Sequence, residues 1–293
     1  MKDFLKNNYN IIVDKLYNCD NQIYFFINCE KIYIIKCDLD KEYLDYLISL
    51  SNNLFYDGIN VNTFIMNNQK EFYTKKDNYF YLLMKSNSFE CVMDIDTISK
   101  FEKYDSLLNN FNIYYEWQKE IDNIEKELIE YNKEFVLIQK SINYFIGLGE
   151  NAIELIGFYE KLIDKYNSSI GHDISCFFDK KNTIYNPFSF IKVNRMYDIA
   201  NYVKRILSIS ELDYSLIDKI IEKCSEYELI YLFACIIYPS DYFYVVKKVI
   251  LGEYKEDMIN IFVSNIENQK KLIEYIQSKI INKDVKLITW IYE

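Results

Sequence analysis

The residues best suited to chemistry gather in one stretch. His172 is the chain's only histidine and stands in SSIGHDISCFFD (168–179), where an irregular segment interrupts a helical pattern. An imidazole there is either a base or ligand, or a ring that holds a loop by hydrogen bonds; with no second histidine, the loop-holding role is the expectation. Cys176 would make a Cys–His pair with it, but a third residue to orient the base is not evident. Asp173 and Asp179, six residues apart, have the oxygens to chelate a hard cation, although solvated loop carboxylates are commoner. Upstream, Gly147-Leu148-Gly149-Glu150-Asn151 has the look of a phosphate loop. It follows a helix and not a strand, so it reads as a helix stop and a restart. Lys36 ends a strand-like run and has the charge to pair phosphates. The chain has no glycine before Gly58, so its first hairpin cannot be a glycine-rich phosphate cover.

The elements that must position these residues fall into two groups. Aromatic and β-branched runs at 11–16, 23–27 and 31–36, separated by Asn/Asp turns, predict a three-stranded meander. Residues 40–53 carry apolar positions at 44, 47, 48 and 50 after a charged start, a helical stripe. Two more strands are expected near 63–66 and 79–84. Beyond Lys85 the spacing is helical: 97–110, 117–132, 135–146 and 151–165, then, after strand-like stretches at 170–178 and 188–191, 197–207, 213–224, 226–237, 240–250 and 259–281. The charged face of 117–131, with Glu and Lys at i,i+4, reads as solvated. Strands first and helices after predict an α+β chain: a small lobe at 1–86 of five strands and one helix, and a helical lobe at 87–293.

Composition narrows the function. Half of the 293 residues are hydrophobic, and Gly and Pro together number only eight, so long elements around a sizeable core are expected and disorder is not. Net charge is −10, without a basic cluster that outweighs its acidic neighbours, which argues against nucleic acid as a partner. The longest apolar stretch, 229–238, is too short for a membrane span and ends at Pro239. The start, MKDFLKNNYN, has no apolar core of a signal peptide. Seven cysteines without a CxxC pair fit reduced thiols in a cytoplasm better than disulfides or zinc.

Four segments give these weak signals a common frame. NYFIGLGENAIELI (143–156), IGHDISCFF (170–178), FIKVNRMYDIANYVKRIL (190–207) and LIYLFACIIYPSDYF (229–243) occur in an order similar to that of the CotS/YutH spore-coat family. That family is a branch of the aminoglycoside-phosphotransferase-like kinases, with a "GLxENAI" helix, a "CH" loop, an "rDLAxxIR" helix and a helix ending in "fP". The small lobe, three strands ending at Lys36 and a helix carrying Glu42 or Asp45, resembles a kinase N-lobe by pattern. The resemblance therefore implies a bilobal, protein-kinase-like fold.

It also implies a site. Active members of the fold carry HGDxxxxN, with Asp as base, Asn on the metal, and a later Asp holding Mg²⁺. With His172 as anchor, the base position falls on Ile174, the Asn position on Asp179, and the later metal position near 186–189 in YNPFSF. No Asp or Glu lies between Asp179 and Asp198, and Asp198 matches the family's helix-starting Asp. The implied protein is a kinase-like, catalytically inactive spore-coat protein that acts by binding a coat or other protein partner. It would be made in the cytoplasm of a sporulating bacterium and have no cofactor. The alternative is an active ATP- and Mg²⁺-dependent phosphotransferase, on a small molecule or a protein. There a one-residue slip makes Asp173 the base and Asp179 a ligand, and Lys36 touches the nucleotide.

Overall fold

The structure is a computed structural model that describes residues 1–19, 22–87, 94–101, 107–108, 110–131, 135–162, 168–173, 185–209, 213–281 and 284–292. The chain is α+β and divides into two compact units. Among described residues, the first holds those up to 87 together with 172–173 and 185–190; the second holds 94–171 and everything from 191 onward.

The first unit opens with α1 (Lys2–Tyr9), then β1 (Tyr17–Cys19), β2 (Gln22–Ile27), β3 (Glu30–Cys37), α2 (Lys41–Tyr56), β4 (Thr63–Ile65), β5 (Tyr73–Lys76) and β6 (Tyr79–Lys85). Its described strands form one antiparallel sheet in the order β1-β2-β3-β6-β4, with β5 hairpinned onto β6. A helix covers each face. On one, Leu5 and Tyr9 of α1 pack with Phe25, Ile32, Ile34 and Leu83; on the other, Leu44 and Ile48 of α2 pack with Tyr33, Ile35, Cys37, Leu82 and Met84. Burial on both faces is why β3 and β6 read as nearly continuous apolar runs. Asp40 caps α2 by accepting from the Glu42 N–H at 2.8 Å.

Three expectations fail here. Residues 11–16 are not a strand: Ile11, Val13 and Leu16 pack beneath α1, and the strand is the following turn segment, where Tyr17 finds Tyr24 across the ladder. Helix α1 was unforeseen, because KDFLKNNY shows only two buried positions, Leu5 and Tyr9. The hydrophilic YTKK strand β5 makes the described sheet six-stranded, not five.

The second unit contains α3 (Ile95–Phe101), α4 (Ile113–Tyr131), α5 (Val136–Leu162), and the two-stranded sheet of β7 (Ser168–His172) with β8 (Phe190–Asn194), strands whose ends at His172 and Phe190 fall in the first unit. It continues through α6 (Met196–Ile209), α7 (Tyr214–Ile221), α8 (Glu226–Ile237), α9 (Ser240–Ile250), α10 (Asn260–Val263) and α11 (Ile266–Gln277). The anticipated break at Gly147–Gly149 does not exist, since α5 runs through it. A Cβ on Gly147 would come within 3.0 Å of the Trp290 ring, and one on Gly149 within 2.8 Å of Ile121 Cδ1. These glycines are notches for neighbours, not a stop. The 117–131 face is also not wholly solvated: Trp117, Ile121 and Ile124 are buried, and Trp117 stacks on Tyr238 at 3.9 Å. From Leu229 to Ile237, where it is wholly apolar, helix α8 is buried on every side, as such a stretch must be. Taken together, 226–250 are long and apolar enough to cross a membrane by length and composition, longer than the 229–238 stretch suggested, but 83% of the apolar 18-residue window within them is buried in the protein.

Candidate functional site

Strand alternation decides what β3 offers. Successive side chains point to opposite faces of a sheet, and α2 packs on the face that carries Tyr33, Ile35 and Cys37. Lys36 therefore lies on the α1 face. It pairs in register with Tyr81, and its ammonium rests 3.7 Å from the centroid of the Tyr79 ring. The structure does not bring it to Glu42 or Asp45 of α2. Asp45 instead faces Tyr73: burial first, then the Asp45 carboxylate, push that phenol above its ordinary range. Burial likewise pushes the Cys37 thiol up, which makes it a poor nucleophile.

The α2 face of β1–β3 carries a group of residues that sequence reading passed over. Tyr17 and Tyr24 stack at 5.3 Å, Phe26 meets both edge-on, and Tyr24 contacts Tyr33 at 6.1 Å. The ammonium of Lys31 sits over Tyr24 and Tyr33, 4.2 and 4.5 Å from their centroids. The signal was present in KIYIIK, where Lys31 and Lys36 have opposite parity and so must occupy opposite faces. The segment after β6 is tied down as well. Ser86 N–H donates to Lys31 O at 2.9 Å, and Asn87 N–H donates to the Asn62 side chain at 3.3 Å.

The loop residues come next. His172 is fully buried at the end of β7, its ring edge-on to Phe190 at 5.2 Å. Asp173 follows, solvent-exposed, with its N–H donating to Ser189 O at 2.7 Å. Ile174, Cys176 and Asp179 lie outside the described residues. The stretch expected to carry the later metal carboxylate is a short 3-10 turn, Pro187–Ser189, built from neutral groups. Asn186 spends its side-chain oxygen on the Phe188 N–H at 3.1 Å, and the Ser189 hydroxyl donates to Asn186 O at 2.7 Å. Phe188 packs on Phe64, and Asn62 N–H donates to Tyr185 O. Within the first unit, then, His172 and Asp173 are brought to 185–190, while Lys36 stands across the sheet from α2.

Asp198 lies buried in the first turn of α6, as expected of a helix-starting residue. Asn194 just before it accepts from Met196 N–H and donates to the Tyr159 hydroxyl, each at 2.9 Å. Gly171 is obligatory here: a Cβ would run into Val193 Cγ1 on β8. Among the described residues no three His, Cys, Asp or Glu side chains converge to hold a metal. The side-chain oxygens of Asn186 and Ser189 are engaged in turn hydrogen bonds, Lys36 of β3 points away from α2, and Lys31, on the α2 face, rests over the rings of Tyr24 and Tyr33.

The sequence matches no protein-family model and no curated protein. Solved structures do match. An aminoglycoside phosphotransferase from Alicyclobacillus acidocaldarius is similar at a TM-score of 0.63 and 8% identity, with 94% of each chain covered. Amicoumacin kinase hAmiN, in complex with AMP-PNP, Ca²⁺ and Ami, is similar at 0.55 and 8%, with 92% of each covered. Spectinomycin phosphotransferase APH(9)-Ia, in complex with ADP and spectinomycin, is similar at 0.51 and 10%, with 92% of each covered. At such identities the likeness speaks for the fold alone: this chain has the kinase-like, aminoglycoside-phosphotransferase-like fold.

Proposed function

We propose that this protein is a pseudokinase, a phosphotransferase fold that acts by binding and not by phosphoryl transfer. The observation that carries the reading is the facing of β3. Kinase chemistry needs a β3 lysine paired with a helix carboxylate, and a metal held by a second carboxylate. In this chain the α2-facing positions of β3 are Lys31, Tyr33, Ile35 and Cys37; Lys31 is held over the rings of Tyr24 and Tyr33, and Lys36 points the other way. Phosphoryl transfer depends almost wholly on positioning and charge neutralisation, so these losses remove most of what the protein would contribute. The tied N–H groups of Ser86 and Asn87 and the Lys31-capped tyrosines support the same reading, since they occupy donors and ring faces with internal partners.

The test is calorimetry with ATP and AMP-PNP, with and without Mg²⁺, beside a γ-phosphate transfer assay that offers spectinomycin, amicoumacin and an aminoglycoside. The expected result is weak or no binding of Mg-ATP and no turnover above background. The second reading, an active kinase that uses Asp173, rests on that carboxylate standing exposed directly after the buried His172. Metal-dependent turnover that disappears in Asp173→Ala would establish it and end the pseudokinase proposal.

The sequence resemblance supports a narrower role: a protein made in the cytoplasm of a sporulating bacterium, which reaches the spore coat through a protein partner. A transcript equally abundant in growing and sporulating cells would refute this role and leave the pseudokinase reading standing.

A further inference from the structure

Pro239 turns the chain where α8 ends and α9 begins, and at this elbow a cavity of about 80 Å³ opens within the second unit. Its floor is built of rings and one aliphatic chain. Phe145 and Tyr242 stack at 3.8 Å, Phe262 meets both edge-on, and buried Ile236 lines the same cavity. The polar groups that reach it are engaged. The Lys204 ammonium donates to Tyr238 O at 3.3 Å and to the Ser240 hydroxyl at 3.1 Å, and the Asn265 side chain donates to Leu207 O at 3.1 Å. The Tyr242 hydroxyl lies 2.8 Å from that of Ser141. Lys204 and Asp241 supply the charges of the lining, and these cancel. At the mouth stand exposed Ser208 and Ile261, the latter 42% exposed.

We infer that this cavity binds the alkyl end of a small uncharged amphiphile, of the class of the short aliphatic alcohols. Charge decides first. The lining's charges already cancel and its polar groups already hold partners, so an ionised ligand would give up its water without a matching gain. Size decides next. At a water's share of ~30 Å³, the cavity has room for about three or four carbon atoms, and it is roughly half as large as a dry cavity of ~150 Å³ that takes up benzene. A propyl or butyl group fits where an aromatic ring does not. The stacked and edge-on rings give that group an apolar floor, and the hydroxyl stays at the mouth beside Ser208 and solvent. The site uses no residue of the β3–α2 region or of the His172 loop, so it stands or falls apart from the pseudokinase reading.

The experiment is an NMR titration of the full chain with labelled isoleucine methyls, using ethanol, propanol, butanol and hexanol. Butylammonium and butyrate are the charged probes, and the methyl spectrum shows that every variant is folded. A saturable shift of the Ile236 methyl is expected, at millimolar alcohol. Affinity should rise by about fourfold with each carbon up to butanol, the gain from burying one methylene, and then level off. The charged probes should bind much more weakly than butanol. Ile261→Phe fills the mouth and should abolish the Ile236 response. Val263→Phe, the same kind of change at a residue of similar exposure (39%) outside the lining, should leave it intact. Four results overturn the site: shifts that do not saturate, affinity that climbs undiminished to hexanol, charged probes that bind as well as butanol, or equal responses of the two variants.

Discussion

Gly149→Ala tests whether α5 runs unbroken because its glycines admit neighbours. On helix propensity alone the change should stabilise, since Ala exceeds Gly by about 1 kcal/mol in a helix interior. The site opposes it. The new methyl would stand 2.8 Å from Ile121 Cδ1 and 3.4 Å from the Phe243 ring, and both neighbours are buried. Overpacking of this kind costs about 1–3 kcal/mol, so a net loss of about 1 kcal/mol is expected, taking the middle of that range. Ile121→Val removes the offending methyl and alone costs about 1 kcal/mol. In the double variant the alanine fills the vacated space, the clash is gone, and the helix gain remains. Its stability should return close to that of the parent, a coupling of about 2 kcal/mol, well beyond the ~0.5 kcal/mol within which independent sites add. Denaturant unfolding followed by tryptophan fluorescence is the assay, because Trp117 and Trp290 both belong to the second unit. Additive behaviour, or a Gly149→Ala variant more stable by the full propensity difference, would refute close packing as the reason for the glycine.

Four further outcomes are expected. Glu256 accepts from the N–H groups of Leu137 and Ile138 at the start of α5, at 2.6 and 3.2 Å, so Glu256→Ala should cost about 1–2 kcal/mol, measured as a midpoint lower by several degrees, and Glu256→Gln less. Lys36→Met should lose no more than a cation–π contact of about 0.5–1 kcal/mol, and it should leave nucleotide titrations unchanged; a change in them would reinstate Lys36 as a phosphate contact. Burial raises the Glu228 carboxyl, but hydrogen bonds from Arg195 and the Ser225 cap outweigh it and hold the group below its usual range. Its contribution is therefore present above the unfolded value near 4.3 and is lost as pH falls through the lower folded value, so Glu228→Gln should flatten the acid limb of the stability curve. Burial, then Glu228, push the Cys224 thiol up to about 12, so peptide mapping after thiol labelling at neutral pH should find exposed Cys29 modified and Cys224 protected until unfolding.

Much of this architecture was legible because its signals are local. Apolar runs between Asn/Asp turns located β2, β3 and β6, and 3.6-residue spacing located α2 and most of the large helices. What escaped depends on partners distant in sequence. Leu5 and Tyr9 form a helix face only against Phe25, Ile32 and Leu83. YTKK becomes a strand only because β6 offers an edge. Gly147 and Gly149 looked like a stop because a glycine that frees the backbone and one that admits a neighbour's ring are the same letter. The candidate site divides in the same way. The lack of a carboxylate at 186–189 was readable along the chain, but the burial of His172 and the direction of Lys36 required knowing what packs on each element.

The order in which the α8–α9 run meets its partners has a consequence for biosynthesis. Residues 226–250, emerging alone from a ribosome, would present a hydrophobic surface suited to capture by chaperones or membrane-insertion machinery. The elements packed most extensively on α8, α5 and α6, lie upstream, as does α4 against α9, whereas the turn at Glu256–Ile259 against α9 and α11 against α8 follow it in the chain. The upstream helices have already left the exit tunnel when the run appears, in keeping with N-terminal segments folding first during synthesis. Most of this segment is thus covered by docking onto an existing surface, and only the remainder waits for the chain at 256–277.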